Sequence, residues 1–191
     1  MISSRWGYIL DKPLASIARR IKVSPNLLSA SGFVITVAAA SLIPYSLVAG
    51  GILVTIGGCF DVLDGVVARV NGKTSKFGAF LDSVLDRFSD AFIFFAIALY
   101  FHMAEDDLNA LAAIFGLFGA FGVSYARAKA EGLGYECRVG LMERPERIIL
   151  LASGCIINIL LVPALWIVMF GSYITIVQRI LHVRKSVAGS A

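Results

Sequence analysis

Asp61-Val-Leu-Asp64-Gly65-Val-Val-Ala68-Arg69 is followed, after eight residues, by Gly78-Ala-Phe-Leu-Asp82-Ser-Val-Leu-Asp86. Asp61 and Asp64 are three apart and Asp82 and Asp86 four apart, so each pair shares one face of a helix. Asn71-Gly72-Lys73-Thr74-Ser75 reads as a turn between them. The two helices are therefore expected to be antiparallel neighbours, with the acidic pairs facing each other at similar depth. An aspartate at the centre of a membrane helix costs roughly 2.5–3.5 kcal/mol, so four deep ones would cost on the order of 10 kcal/mol. Their like charges also repel. A divalent cation relieves both problems. Four carboxylates joined by no His or Cys suit Mg²⁺, Mn²⁺ or Ca²⁺ rather than Zn²⁺. Solvated helix ends, or pairing with Arg69 and Arg87, would explain one aspartate more readily than four. Gly65 and Gly78 remove side chains where a bulky ligand or a neighbouring helix comes close. Arg69 could anchor a diphosphate through its planar donors.

The rest of the chain places this segment in a membrane. It has 191 residues, of which 58% are hydrophobic and 16% charged, against about 25% charge in a soluble domain. The mean hydropathy is +0.82. Apolar runs are expected to span the bilayer over 27–43, 47–70, 77–101 and 108–126. The stretch 148–181 is too long for one span and should fold back near Leu161-Val162-Pro163, giving two more. Ser24-Pro25-Asn26 supplies a helix start, with Asn26 taken as a cap. Lys and Arg gather before the first span, between the second and third, between the fourth and fifth, and after the last, where Arg179, Arg184 and Lys185 lie. None occurs near Pro44, Glu105-Asp106-Asp107 or Pro163. That alternation predicts an all-α, polytopic protein of the cell membrane with six transmembrane helices and both termini in the cytoplasm.

Residues 1–22 read as a short interfacial amphipathic helix preceding a catalytic domain at 23–191. Its apolar side is Trp6, Ile9, Leu10, Leu14, Ile17 and Ala18. No continuous apolar core marks a cleavable signal peptide. The net charge of +4 fits cytoplasmic loops on anionic lipid rather than nucleic-acid binding. Cys59, Cys137 and Cys155 form no metal or disulfide pattern and read as reduced packing residues. His102 and His182 are isolated at helix ends. Asp90 continues the face of Asp82 and Asp86 and either supports them or pairs with Arg87.

The order D-x2-D-G-x2-A-R-x8-G-x3-D-x3-D resembles the signature of the CDP-alcohol phosphotransferases. The resemblance implies a six-helix membrane fold, a homodimer and an active site open to the cytoplasm. It implies that Asp61, Asp64 and Asp82 hold the metal, Mg²⁺ or Mn²⁺. Asp86 is implied as the base for the acceptor hydroxyl, also within reach of metal. Gly65, Ala68, Arg69 and Gly78, with Asp64, match positions associated with the CDP-linked lipid. The chemistry agrees: a diphosphate under attack needs neutralised charge and a stabilised leaving group. One carboxylate not committed to metal can take the proton. Direct transfer is expected, because no serine, cysteine or histidine is placed with a partner for a covalent route.

A second polar constellation runs from Ser124-Tyr125-Ala-Arg127-Ala-Lys129 to Glu143-Arg144-Pro145-Glu146-Arg147. Arg127, Lys129 and Arg147, with Arg184 from the last helix, are expected to bind a phosphate on the acceptor. This segment looks like the branch of the family that uses inositol phosphate, the phosphatidylinositol-phosphate and archaetidylinositol-phosphate synthases. Glycerol 3-phosphate makes the same demand for positive charge and is the alternative acceptor. A divalent-cation transporter is the reading from another class. Against it, the aspartates cluster near one membrane face and no acidic residue continues a path.

Overall fold

Four short polar side chains set where the main helices begin. Ser24, Ser46, Ser75 and Asp106 each accept a hydrogen bond from the backbone N–H three residues on, which satisfies one of the orphan donors of a helix start. The computed structural model describes residues 11–188. Among these it contains α1 (Asp11–Arg20), α2 (Pro25–Leu42), α3 (Leu47–Val70), α4 (Lys76–Met103), α5 (Asp107–Gly132), α6 (Arg144–Ile156), a single 3-10 turn (Asn158–Leu160) and α7 (Leu161–Ala188).

Six of these helices close into a ring. α2 packs on α3 and α4, α3 on α6, α6 on α7, α7 on α5, and α5 on α4. Ile43, Val54, Ile93, Ile97, Leu151, Leu161 and Leu165 fill the centre and are almost completely buried. Large apolar residues such as Phe95, Phe118 and Ile149 point outward instead, as a lipid solvent permits. The protein is an integral membrane protein: α2, α3, α5 and the segment Asn158–Ala188 are long and apolar enough to cross a bilayer. α4 carries Asp82, Asp86, Arg87 and Asp90 between its second turn and its midpoint. α6 has 13 residues, about 20 Å at the helical rise, and falls short of the hydrocarbon thickness on its own.

Two contacts position the site. α2 and α3 touch backbone to backbone, since a Cβ built on Gly57 would lie 3.2 Å from the Gly32 carbonyl oxygen. That approach brings Ser29 of α2 within reach of Asp64 of α3. At the opposite end of the bundle, Trp166 of α7 donates to Asn109 of α5 at 2.8 Å, and Asn109 donates to Asp106 at 2.7 Å.

The structure differs from the sequence reading in four places. α3 and α4 make no extended contact, although a five-residue turn joins them. α2 packs against both, and the space between the acidic faces remains open. The fold-back before the last helix falls at Ile157–Leu160, and Pro163 lies in the first turn of α7, where its missing N–H costs nothing. The cap of α2 is Ser24, not Asn26. On α1, Ala18 is buried and Leu14 half-buried against α3, but Ile17 is 51% exposed. Trp6, Ile9 and Leu10 lie outside the described residues. Asn71, just past α3, donates to the Ala18 carbonyl at 3.2 Å and docks α1 on the bundle. Cys155 and Cys137 are buried packing residues as expected, and burial pushes the Cys137 thiol up; Cys59 is exposed.

Gly57→Val would force α2 and α3 apart, and overpacking of this kind costs about 1–3 kcal/mol. The expected result is a lower melting temperature for the purified protein, read by a thermal-shift or light-scattering scan.

Candidate active site

The acidic face of α3 meets that of α4 at one end of the ring. Carboxylate oxygens of Asp61, Asp64 and Asp82 all lie within 4.8 Å of one another. That spacing and the all-oxygen chemistry fit a hard divalent cation. Asp64 is buried and accepts a hydrogen bond from the Ser29 hydroxyl, which orients one oxygen and leaves the other toward the cluster.

Asp86 lies one helical turn further along α4 and shares the Arg144 guanidinium with Asp61. Arg144, at the start of α6, supplies the positive charge here. Its guanidinium pairs with Asp61, with Asp86 at 2.9 Å and with Asp90 at 3.7 Å. Arg87 lies 3.4 Å from the other Asp86 oxygen. Deeper still, Arg147 donates to Asp90 at 2.6 Å, and both are almost fully buried. Asp90 therefore pairs with α6 rather than with Arg87, and ties α4 to α6 beneath the reacting groups.

Two cavities flank the carboxylates. One, about 200 Å³, is lined by Asn26, Ser29, Asp64, Gly65, Ala68, Arg69, Lys73, Gly78 and Asp82. It contains every position assigned to the CDP-linked lipid. A side chain at Gly78 would intrude on it: its Cβ would lie 2.9 Å from Asn26 Oδ1. The other, about 320 Å³, is lined by Asp86, Arg87, Ser124, Arg127, Glu131, Glu143, Arg144, Arg147 and Arg179. A narrow gap lined by Asp61, Asp82, Asp86 and Arg144 joins the two. Asp82 therefore borders the first cavity and Asp86 the second.

Of the four residues expected around an acceptor phosphate, the structure brings Arg127 and Arg147 to the second cavity. Lys129 and Arg184 do not reach it. They line a separate, mostly apolar groove of about 540 Å³ between α5 and α7. Residues two apart on a helix point about 200° apart, so Arg127 and Lys129 cannot serve one pocket. Arg179 lines the second cavity with Arg127 and Arg147. It is 2% exposed and held by the carbonyls of Val139, at 2.9 Å, and Val123. An arginine inside an apolar helix is itself a functional signal, one that counting Arg179 among the trailing basic residues obscured.

Residues 22–183 match the family model described as CDP-alcohol phosphatidyltransferase. The archaetidylinositol phosphate synthase of Methanothermobacter thermautotrophicus is 38% identical over 181 residues, covering 92% of this chain and 90% of that protein. The crystal structure of Mycobacterium tuberculosis phosphatidylinositol phosphate synthase with CDP-DAG bound superposes with a TM-score of 0.80 at 33% identity, covering 91% of this chain and 92% of that one. The same mycobacterial protein in complex with manganese and citrate gives a TM-score of 0.81 at 32% identity, covering 91% and 88%.

Mn²⁺ titration followed by electron paramagnetic resonance checks the carboxylate roles. Replacing Asp61, Asp64 or Asp82 by Asn is expected to weaken binding at least about tenfold, as loss of a charged ligand should. Asp90→Asn should leave Mn²⁺ affinity within about threefold but lower the melting temperature, because breaking a buried ion pair costs about 3–5 kcal/mol.

Proposed function

The chain belongs to the CDP-alcohol phosphatidyltransferase family, and on that premise we propose that it moves a phosphatidyl-type group from a CDP-linked lipid to inositol phosphate, releasing CMP. The observation that carries this reading is the position of Asp86. It lies outside the Asp61–Asp64–Asp82 trio and on the border of an arginine-lined cavity. A carboxylate so placed can act on an acceptor while its neighbours hold metal.

Asp61, Asp64 and Asp82 would hold Mg²⁺ or Mn²⁺, which supplies positive charge to the diphosphate and to the departing CMP. The donor's CDP group enters the first cavity, where Gly65, Ala68 and Gly78 leave room and Arg69 and Lys73 supply charge. Acceptor phosphate binds in the second cavity between Arg127, Arg147 and Arg179. Guanidinium groups suit this task because their planar donors match phosphate oxygens. The acceptor hydroxyl gives its proton to an Asp86 oxygen as its own oxygen attacks phosphorus. The bond from phosphorus to the CMP oxygen breaks, and CMP departs. Arg144 and Arg87 keep Asp86 in place and offset its charge.

Relatives 38% and 36% identical to this chain carry the names archaetidylinositol phosphate synthase and phosphatidylinositol phosphate synthase, which favours inositol phosphate over glycerol 3-phosphate. Ion transport is disfavoured by the core beyond Asp90. There α4 continues as Ile93, Phe94, Ile97 and Phe101, all buried, and offers a cation no ligands. Six membrane spans, an interfacial α1, cytoplasmic termini and a homodimer complete the proposal. Charge alternation between successive connections supports the orientation. In that orientation Lys129 and Arg184 sit near anionic headgroups.

CMP release from a CDP-lipid, measured with a panel of acceptors, tests the proposal. Release should require Mg²⁺ or Mn²⁺ and be stimulated by inositol phosphate. Asp86→Asn should lower kcat by roughly 10²–10⁴, the usual worth of a general base. Arg127→Ala should raise the acceptor KM by about tenfold, in line with loss of a charge-assisted hydrogen bond. Stimulation by serine alone would sink the acceptor assignment.

A further inference from the structure

Glu143 occupies the N-cap position of α6, yet its side chain makes no capping hydrogen bond. It turns into the arginine-lined cavity instead. Oε1 lies 3.3 Å from Arg179 and 3.8 Å from Arg127. Oε2 is buried and has no hydrogen-bond partner, while the residue as a whole is 6% exposed. A buried acceptor left unpaired costs about 1–3 kcal/mol, and more when charged.

The loop that carries Glu143 is held firmly. Gly140 has φ +134 and fits against Thr175 of α7. The Thr175 hydroxyl oxygen accepts from the N–H groups of Leu141 and Met142, at 3.2 and 3.0 Å. Arg147 donates to the Met142 carbonyl at 3.2 Å. Glu143 is thus fixed at the cavity wall: two arginines balance Oε1, and Oε2 is buried without a partner.

Phosphate entering between Arg127 and Arg179 brings no donor to Oε2, and its negative charge repels the carboxylate. Hydroxyl groups do bring donors. We propose that Glu143 Oε2 accepts a hydrogen bond from a ring hydroxyl of the acceptor, other than the one that attacks, and so makes the site selective for a phosphorylated polyol. This rests on the acceptor assignment above and adds a specificity-determining residue to it. A site built to bond a hydroxyl rejects the analogue lacking it far more strongly than an apolar pocket rejects an extra group.

The test pairs protein and substrate deletions. Purified full-length protein is assayed for CMP release from CDP-diacylglycerol with Mn²⁺, using inositol phosphate and its single-deoxy analogues. For wild type, one deoxy analogue should lose about 10–100-fold in kcat/KM, mostly through KM, as expected for a hydrogen bond to a charged group. For Glu143→Ala, inositol phosphate should lose a similar factor, and the same deoxy analogue should lose little more, because the acceptor is already gone. Glu143→Asp keeps the charge beside the arginines but draws the oxygen back, and should behave like Glu143→Ala. Equal losses for every analogue in the variants would mean that Glu143 only steadies Arg127 and Arg179, and would overturn the proposal. So would variants indistinguishable from wild type, or Glu143→Asp retaining wild-type selectivity. If wild type itself ignores inositol phosphate, the acceptor assignment falls, and this proposal with it.

Discussion

Charge neutralisation at one end of a helical ring governs this molecule. Asp61, Asp64, Asp82, Asp86 and Asp90 converge from two helices, and separation in a low-dielectric interior would make that convergence costly. Arg144 and Arg147 answer from α6, and a divalent cation completes the balance. The two arginines work at different depths. Arg147 is sealed against Asp90 and ties helices together, whereas Arg144 spans the carboxylates that border the reacting region. α6 is short because its first turn has this electrostatic task. It begins where the arginines are needed and ends at the fold-back before α7.

The division of labour between cavities follows from helix geometry. Asp82 and Asp86 are one turn apart on α4, which is enough to place them on different chambers. The cavity proposed for the donor is built from the start of α2, the end of α3 and the start of α4. The cavity proposed for the acceptor is built from α4, α5, α6 and α7. α2 sits between α3 and α4 in the ring and packs against both, and Asn26 and Ser29 at its start line the first cavity. The close contact of α2 with α3 at Gly32 and Gly57 holds the donor side rigid, while the strapped loop before α6 does the same for the acceptor side.

Much of this was legible in the linear pattern. Intervals of three and four between acidic residues, separated by a polar turn, implied facing helical clusters. The expected bounds of α3 matched because Ser46 and Asn71 delimit an uninterrupted apolar run. Adjacency of α3 and α4 was misjudged, because a short turn constrains where chain ends lie but not which surfaces pack. The four basic residues expected at one cavity divide between two for a related reason. Arg127, Lys129 and Arg184 were grouped by height along the membrane normal, and azimuth around each helix was ignored. Arg179 and Arg184, five residues apart, point about 140° apart, and only the former faces inward. Glu143 was hidden because an acid at a helix start usually serves its own helix.

The placement of Asp82 and Asp86 on separate chambers has a stereochemical consequence. On the proposed assignment, a nucleophile arriving from the arginine side would meet phosphorus opposite the nucleotide. A single in-line displacement of this kind inverts the configuration at phosphorus. A route through an enzyme-bound intermediate, with two displacements, would return it to the original hand. One turn of α4 therefore fixes the chirality that a labelled phosphate would carry into the product.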